Sequence, residues 1–182
     1  MKDITDVSII IPKKLAAFLY EQDNDIDVLH KNISKWKDIE YRYDFYEENT
    51  AIIKDDPKTP LDYSFDDFSE DIMFDLEDLE DFLESIEKED LNLEDYFIPL
   101  SQSEEKKKIL SLRKQRCKWL RVYAIRIDKN LFVITGGAIK ITKTMQEHKD
   151  TNNELAQLKY SRDWLKHKGI ETDEEFYLYF NI

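Results

Sequence analysis

Positively charged side chains are concentrated between Lys106 and Lys149. This stretch holds 13 Lys and Arg residues and only two acidic residues, Asp128 and Glu147. Lys and Arg neutralise the phosphates of a nucleic acid, and aromatic rings stack on its bases. We therefore predict an RNA-binding surface, and the alternative is that these cations only keep an exposed sheet soluble. The candidate residues are Arg113, Lys114, Arg116, Lys118, Arg121, Arg126, Lys140 and Lys143, with Trp119 and Tyr123 among them.

A β-hairpin must position most of these side chains. Residues 118–128 and 131–143 are rich in β-branched and aromatic residues, which is typical of strands. The sequence Asp128-Lys129-Asn130 between them predicts a tight turn. Because alternate residues of a strand point to the same face, we expect Arg121 and Tyr123 on one face of the first strand.

The return strand contains Gly136 and Gly137, two of the chain's three glycines. Glycine weakens the interior of a strand, so this pair predicts a β-bulge or a bend. Glycine also accepts the positive φ angles that bulges often need, and it lets another backbone come close. We expect the bend to bring Lys140 and Lys143 to the same edge as Arg121. A kink that only curls the sheet around a core helix is the other interpretation.

The first half of the chain is strongly acidic. Residues 1–100 contain 10 Lys and Arg against 29 Asp and Glu, whereas residues 101–182 contain 17 against 11. Apolar residues spaced by three and four predict an amphipathic helix over residues 65–86, with Ser64 as its N-cap. Its outer face is interpreted either as a solvated surface or as a surface for a basic partner. That face comprises Glu70, Asp71, Asp75, Glu77, Asp78, Glu80, Asp81, Glu84 and Glu87.

Further elements are predicted on either side of the helix over residues 65–86 and of the hairpin. Residues 7–11 indicate a short strand. A helical face is expected within residues 13–30, and aromatic residues predict an amphipathic helix over residues 33–46. Thr151 begins a further helix, with the capping-box spacing to Glu154. Gly169 ends that helix, and a short helix is expected among the last residues.

This order of elements predicts an α+β fold. Residues 1–95 form a mostly helical, acidic part, and residues 96–182 form a basic antiparallel hairpin followed by C-terminal helices. Helices that bury an apolar face need a sheet or other helices to cover it. We therefore expect one compact domain, with the helical N-terminal half packed on a small antiparallel β-sheet.

Several classes of protein are excluded by what the sequence lacks. Cys117 is the only cysteine, so neither a disulfide framework nor a cysteine-rich zinc site is expected. The motifs of phosphate-binding loops, zinc proteases and serine hydrolases are missing, so we expect no metal and no cofactor. No apolar run approaches the roughly 20 residues that span a bilayer, and the start does not resemble a signal peptide. We expect a cytoplasmic protein with no membrane contact.

The C-terminal half resembles a known group of sequences. The segments LRVYAIRID and FVITGGAIK, with the helix that begins TNNEL, are similar to small, mostly uncharacterised proteins of Bacteroidetes and their mobile elements. That resemblance is clearest from Tyr96 to Ile170. The core of this group is in turn similar to the RelE/HigB and ParE class of toxins. Arg121 matches the start of one strand of that class, residues 137–142 match the basic end of its partner, and Thr151 matches the start of the next helix.

The resemblance implies a RelE/ParE-like core with a C-terminal helix, and the toxin of a toxin–antitoxin pair. Such a toxin is a metal-independent endoribonuclease that cleaves mRNA on the ribosome, and a helix-turn-helix antitoxin neutralises it. Arg121 and Lys140 would stabilise the phosphate in the transition state, and Tyr123 or His148 would act as acid or base. Lys143 would be a secondary contact.

Two features depart from that class. The whole chain has a net charge of −13, and its N-terminal half is longer than a two-helix hairpin. One hypothesis is that the acidic helix screens the basic sheet, as an antitoxin would. Two other functions stay open: a non-catalytic protein-interaction module on a toxin-derived fold, and an acidic mimic of nucleic acid. The sequence says nothing of the oligomeric state.

Overall fold

The computed structural model describes residues 1–23, 25–57, 59–100, 109–112 and 118–182. In that part of the chain, helices and strands form a mixed α+β fold, which confirms the predicted fold class at that level. The strands are β1 (Ile4–Ile11), β2 (Leu15–Tyr20), β3 (Phe97–Pro99), β4 (Ile109–Leu112), β5 (Leu120–Asp128) and β6 (Leu131–Ile139). The helices are α1 (Val28–Lys37), α2 (Ile39–Asp55), α3 (Phe65–Lys88), α4 (Lys149–His167) and α5 (Asp173–Phe180), with a one-turn 3₁₀ helix at Leu93–Asp95.

The described strands form one sheet in the order β1-β2-β6-β5-β4-β3. Neighbouring strands run antiparallel except β2 and β6, which are parallel. The prediction of a purely antiparallel sheet is therefore wrong, because the first half of the chain contributes β1 and β2. All nine residues of β6 are buried, which requires cover on both of its faces. Helices α1 and α4 supply that cover.

Two helix predictions in the first half are wrong. Residues 15–20 form strand β2 instead of a helix, and five of its six residues are buried. A strand covered on both faces has a continuous apolar sequence, so it lacks the alternation that identifies half-buried strands. Residues 33–46 belong to two helices, because Asp38 ends α1 and its side chain accepts the N–H groups of Glu40 and Tyr41 at the start of α2.

The other predicted elements are present, but a strand boundary and a helix cap differ. The β5–β6 hairpin forms as predicted, although β6 ends at Ile139, so that Lys140 and Lys143 follow the strand instead of belonging to it. Helix α3 is present, and Ser64 caps it in a capping box with Asp67. Helix α4, however, begins at Lys149 and is capped by His148. The predicted capping box at Thr151 is therefore wrong. The hydroxyl of Thr151 instead donates to the carbonyl oxygen of Met145 at 2.7 Å.

One residue of the predicted acidic face is inside the protein. Asp75 of α3 is only 2% exposed. Its carboxylate accepts the backbone N–H groups of Lys118 at 2.7 Å, Trp119 at 2.6 Å and Leu120 at 2.8 Å. Burial raises the pKa of Asp75, and these three hydrogen bonds oppose the shift. The contact attaches the middle of α3 to the start of β5.

We expect Asp75→Ala to lower the free energy of unfolding by about 3 kcal/mol, because it leaves three shielded N–H groups without their acceptor. Urea unfolding measures the change. Glu77→Ala is the matched control, since Glu77 lies on the same helix but is exposed. It should shift stability by no more than about 0.5 kcal/mol. Equal unfolding midpoints for the two variants would contradict this role of Asp75.

Candidate anion-binding cleft

The hairpin brings two of the predicted cations together at one end of the sheet. In the β5–β6 register, Arg121 lies opposite Ala138 and Leu120 opposite Ile139. The pairing continues one step further, because the N–H of Lys140 donates to the carbonyl oxygen of Trp119 at 2.8 Å. Arg121 near the start of β5 and Lys140 after the end of β6 are therefore close neighbours.

A cleft of about 620 Å³ opens beside them. One wall is the C-terminal end of α2 and the residues after it, including Asp55 and Asp56. The other wall is the start of β5 and the segment from Lys140 to Glu147. Among the described residues, four cations and three carboxylates line this cleft. The cations are Lys118, Arg121, Lys140 and Lys143, and the carboxylates are Asp55, Asp56 and Glu147.

The cations of the cleft are close enough to influence one another. Burial lowers the pKa of Lys140, and the positive charge of Arg121 lowers it further, whereas Glu147 opposes the shift. The ammonium group of Lys140 also donates to the carbonyl oxygen of Lys143 at 2.8 Å, which holds it in place. A bound anion would relieve the repulsion between the two cations. The arrangement is thus suited to binding a phosphate or another anion.

Tyr123 and His148 lie outside this cleft. Tyr123 is 1% exposed, and its hydroxyl has no hydrogen-bond partner within the described ranges. Burial raises the pKa of Tyr123, which keeps the phenol neutral. His148 caps α4 by accepting the N–H of Asp150, and its other ring nitrogen is 2.9 Å from Oδ1 of Asn49. The structure thus gives both residues places in the packing and not in the cleft.

One further predicted RNA contact, Arg126, lies away from the cleft. Arg126 is near the opposite end of β5, about 17 Å from Arg121 along the strand at roughly 3.3 Å per residue. It forms an ion pair with Glu94 at 2.7 Å. Trp119 does line the cleft, but it is only 3% exposed, so its ring offers little surface for base stacking. Three further predicted contacts lie outside the described residues, namely Arg113, Lys114 and Arg116.

The predicted irregularity at the glycine pair is confirmed. Tyr123 pairs with Gly136 while Ala124 pairs with Ile134, so Thr135 is the extra residue of a β-bulge. Of the two expected reasons, the positive φ is wrong, because neither glycine of the pair has one. The close approach of another backbone is confirmed, since a Cβ on Gly137 would lie 2.8 Å from the carbonyl oxygen of Arg121. Neither position has room for a side chain. A Cβ on Gly137 would lie 2.7 Å from the Trp36 ring, and one on Gly136 would lie 1.7 Å from Oε2 of Glu154.

Glu154 is a titratable group that the sequence did not single out for chemistry. Its carboxylate lies over Gly136 and accepts the backbone N–H of Gly137. Burial raises the pKa of Glu154 to about 7, and the charges of Lys2 and Lys35 limit the shift. The unexplained glycines were the one sequence signal for this contact, since only residues without a Cβ leave room for the carboxylate.

Neither a metal site nor a membrane span is found in the part of the chain that the structure describes. No three His, Cys, Asp or Glu side chains are grouped there so that they could hold a metal ion. None of its helices combines the length and the apolar character needed to cross a membrane.

Comparisons with protein-family models, with curated proteins and with solved structures find no match to this chain.

We expect Glu154→Gln to change how stability depends on pH. The folded-state pKa of about 7 is above the ordinary value of 4.5, so folding favours the neutral acid. The stability associated with neutral Glu154 is fully present below pH 4.5 and is lost as the pH rises toward 7. Relative to the variant, the native protein should lose about 3 kcal/mol of unfolding free energy across that range.

Urea unfolding of both proteins at several pH values between 4.5 and 8 measures this difference. The amide oxygen of the substituted side chain would still accept the N–H of Gly137, so the comparison isolates the ionisation. Parallel pH profiles for the two proteins would be inconsistent with a buried, neutral Glu154.

Proposed function

We propose that this protein binds the phosphate backbone of RNA in the cleft, through Arg121, Lys140 and Lys143. The observation that carries the proposal is the β5–β6 register, which places Arg121 beside Lys140 at a concave surface. Lysine and arginine side chains supply most of the non-specific affinity for nucleic acids, and they act best where water is partly excluded. The mutual repulsion of the two cations favours an anionic ligand.

The finer proposal is a toxin of the RelE/HigB kind that acts on mRNA and has a helix-turn-helix antitoxin as its partner. It rests on the resemblance described above. The order of elements supports it, since a strand containing Arg121 pairs with a strand that leads to Lys140, and helix α4 follows. The RNA-binding proposal does not depend on this finer one.

Cleavage of RNA without a metal needs a group that removes a proton from the 2′-hydroxyl and one that protonates the leaving oxygen. Tyr123 and His148 are buried or engaged elsewhere, so neither reaches the cleft. Among the described residues of the cleft, Lys140 combines a lowered pKa with a position beside Arg121. Lys140 as a neutral amine would accept the proton of the 2′-hydroxyl as the 2′-oxygen bonds to phosphorus, and as an ammonium group it would give that proton to the 5′-oxygen that leaves. Arg121 would stabilise the charge on the phosphate oxygens.

A non-catalytic RNA-binding module is the second candidate. The observation that favours it is the structural use of His148, which caps α4 and contacts Asn49. Tyr123 is similarly enclosed by the core. Such a protein would bind RNA in the same cleft and leave the phosphodiester intact.

We expect Lys143→Ala to weaken the binding of single-stranded RNA, measured by fluorescence anisotropy at several salt concentrations. Lys143 is exposed, so the fold should not change. Loss of one phosphate contact should reduce the slope of log K against log salt by about 0.7. Arg126→Ala is the control, because it removes the same charge at the far end of β5. An equal loss in both variants would show that the cleft has no special role.

Expression in a bacterial host distinguishes a toxin from a binding module. If the finer proposal holds, the native protein arrests growth and cleaves labelled mRNA, and Arg121→Ala relieves both effects because it removes the cation beside the phosphate. Arg126→Ala should remain toxic. A native protein that binds RNA but neither arrests growth nor cleaves would disprove the toxin proposal and leave RNA binding intact.

A further inference from the structure

An exposed aromatic residue lies in the middle of the acidic face of α3. The side chain of Phe74 is 62% exposed, although α3 already buries a full apolar face against the core. Residues three and four positions away are its neighbours on the helix surface. All four of those neighbours are acidic. They are Glu70, Asp71, Glu77 and Asp78.

A groove of about 430 Å³ adjoins the Phe74 ring, between α3 and the segment that precedes it. Pro60, Tyr63 and Phe74 give the groove an apolar lining. Its carboxylates are Asp62, Asp67, Glu70 and Asp71. Lys118 is the one cation among its described lining residues, and its ammonium group is already 2.7 Å from Asp71. The groove therefore combines an aromatic surface with an excess of negative charge.

Internal contacts account for two of these carboxylates, since Asp67 closes the capping box with Ser64 and Asp71 pairs with Lys118, but packing does not explain the exposure of Phe74. Phe68, Ile72 and Leu76 of α3 are each at most 1% exposed, so they attach the helix to the core without Phe74. Like charges four residues apart destabilise a helix by a few tenths of a kcal/mol per pair. A basic ligand would remove that repulsion and cover the aromatic ring. Exposed aromatic residues surrounded by polar groups are typical of the centre of protein interfaces.

We propose that this groove docks a basic segment of a partner protein. A Lys or Arg side chain of the partner stacks on Phe74 and pairs with Glu70 and Asp67. Charge complementarity selects this occupant. A nucleic acid is repelled by the same carboxylates, and the docking does not depend on the function of the cleft.

The test uses a short fluorescein-labelled peptide of Arg, Lys, Leu and Ala, with fluorescence anisotropy as the readout. Phe74→Ala leaves the net charge unchanged, so it separates the groove from the general attraction of an acidic protein. We expect it to weaken binding about tenfold, as truncation of a central aromatic does. Leu178→Ala is the matched control, because Leu178 is 83% exposed on α5. It should bind the peptide as the native protein does.

A second pair of variants tests the carboxylates. Glu70→Gln and Glu87→Gln each remove one negative charge from the exposed face of α3, but only Glu70 lines the groove. Glu70→Gln should weaken binding more than Glu87→Gln. Equal affinities within either matched pair would overturn the proposal. So would self-association of the native protein that Phe74→Ala abolishes in sedimentation experiments, since the occupant would then be a second copy of this chain.

Discussion

The carboxylate of Asp75 holds the start of β5 against α3, and both surfaces proposed above depend on that contact. Desolvating a carboxylate is costly, which is why burial raises its pKa. The backbone N–H groups of Lys118, Trp119 and Leu120 offset the cost. Arg121 follows Leu120 directly, so the contact also fixes the backbone next to Arg121. Asp75, which the sequence placed on the outer face of α3, thus holds the strand that carries this cation.

Helix α3 therefore uses its acids in two ways. Asp75 and Asp71 face the hairpin, where Asp71 pairs with Lys118 and accepts the indole N–H of Trp119 at 3.3 Å. Glu70 and Glu77, on either side of Phe74, are exposed to solvent. Part of the charge asymmetry of the sequence is thus neutralised inside the fold, in keeping with the hypothesis that the helix screens the basic region. Deleting α3 would remove its buried core residues as well, so single substitutions separate screening from folding.

Elements with a regular pattern could be predicted from the sequence. Helix α3 and the β5–β6 hairpin have amphipathic spacing, a cap or a turn, and these local signals agree with the tertiary packing. Strand β2 could not be identified, because its parallel pairing with β6 buries both faces and removes the alternation. The glycines predicted the bulge and the close approach of another backbone. The side chains that leave no room for a Cβ, Trp36 and Glu154, could not be predicted because they lie far away in the sequence.

In the cleft, too, local sequence signals predicted some features, whereas others depend on tertiary packing. The hairpin and the bend at its glycine pair were enough to expect Arg121 near Lys140, whereas the burial of Tyr123 depends on the helices that cover the sheet. The position of Lys118 could not be predicted from the sequence. This residue lines both the cationic cleft and the acidic groove. Its ammonium group pairs with Asp71 on the groove side, where the ring of Tyr63 lies 4.6 Å away. If a basic ligand in the groove also paired with Asp71, it would compete with Lys118, and the released ammonium group would add its charge to the cleft. Two surfaces of opposite charge share one residue, and through it the occupancy of one would affect the affinity of the other.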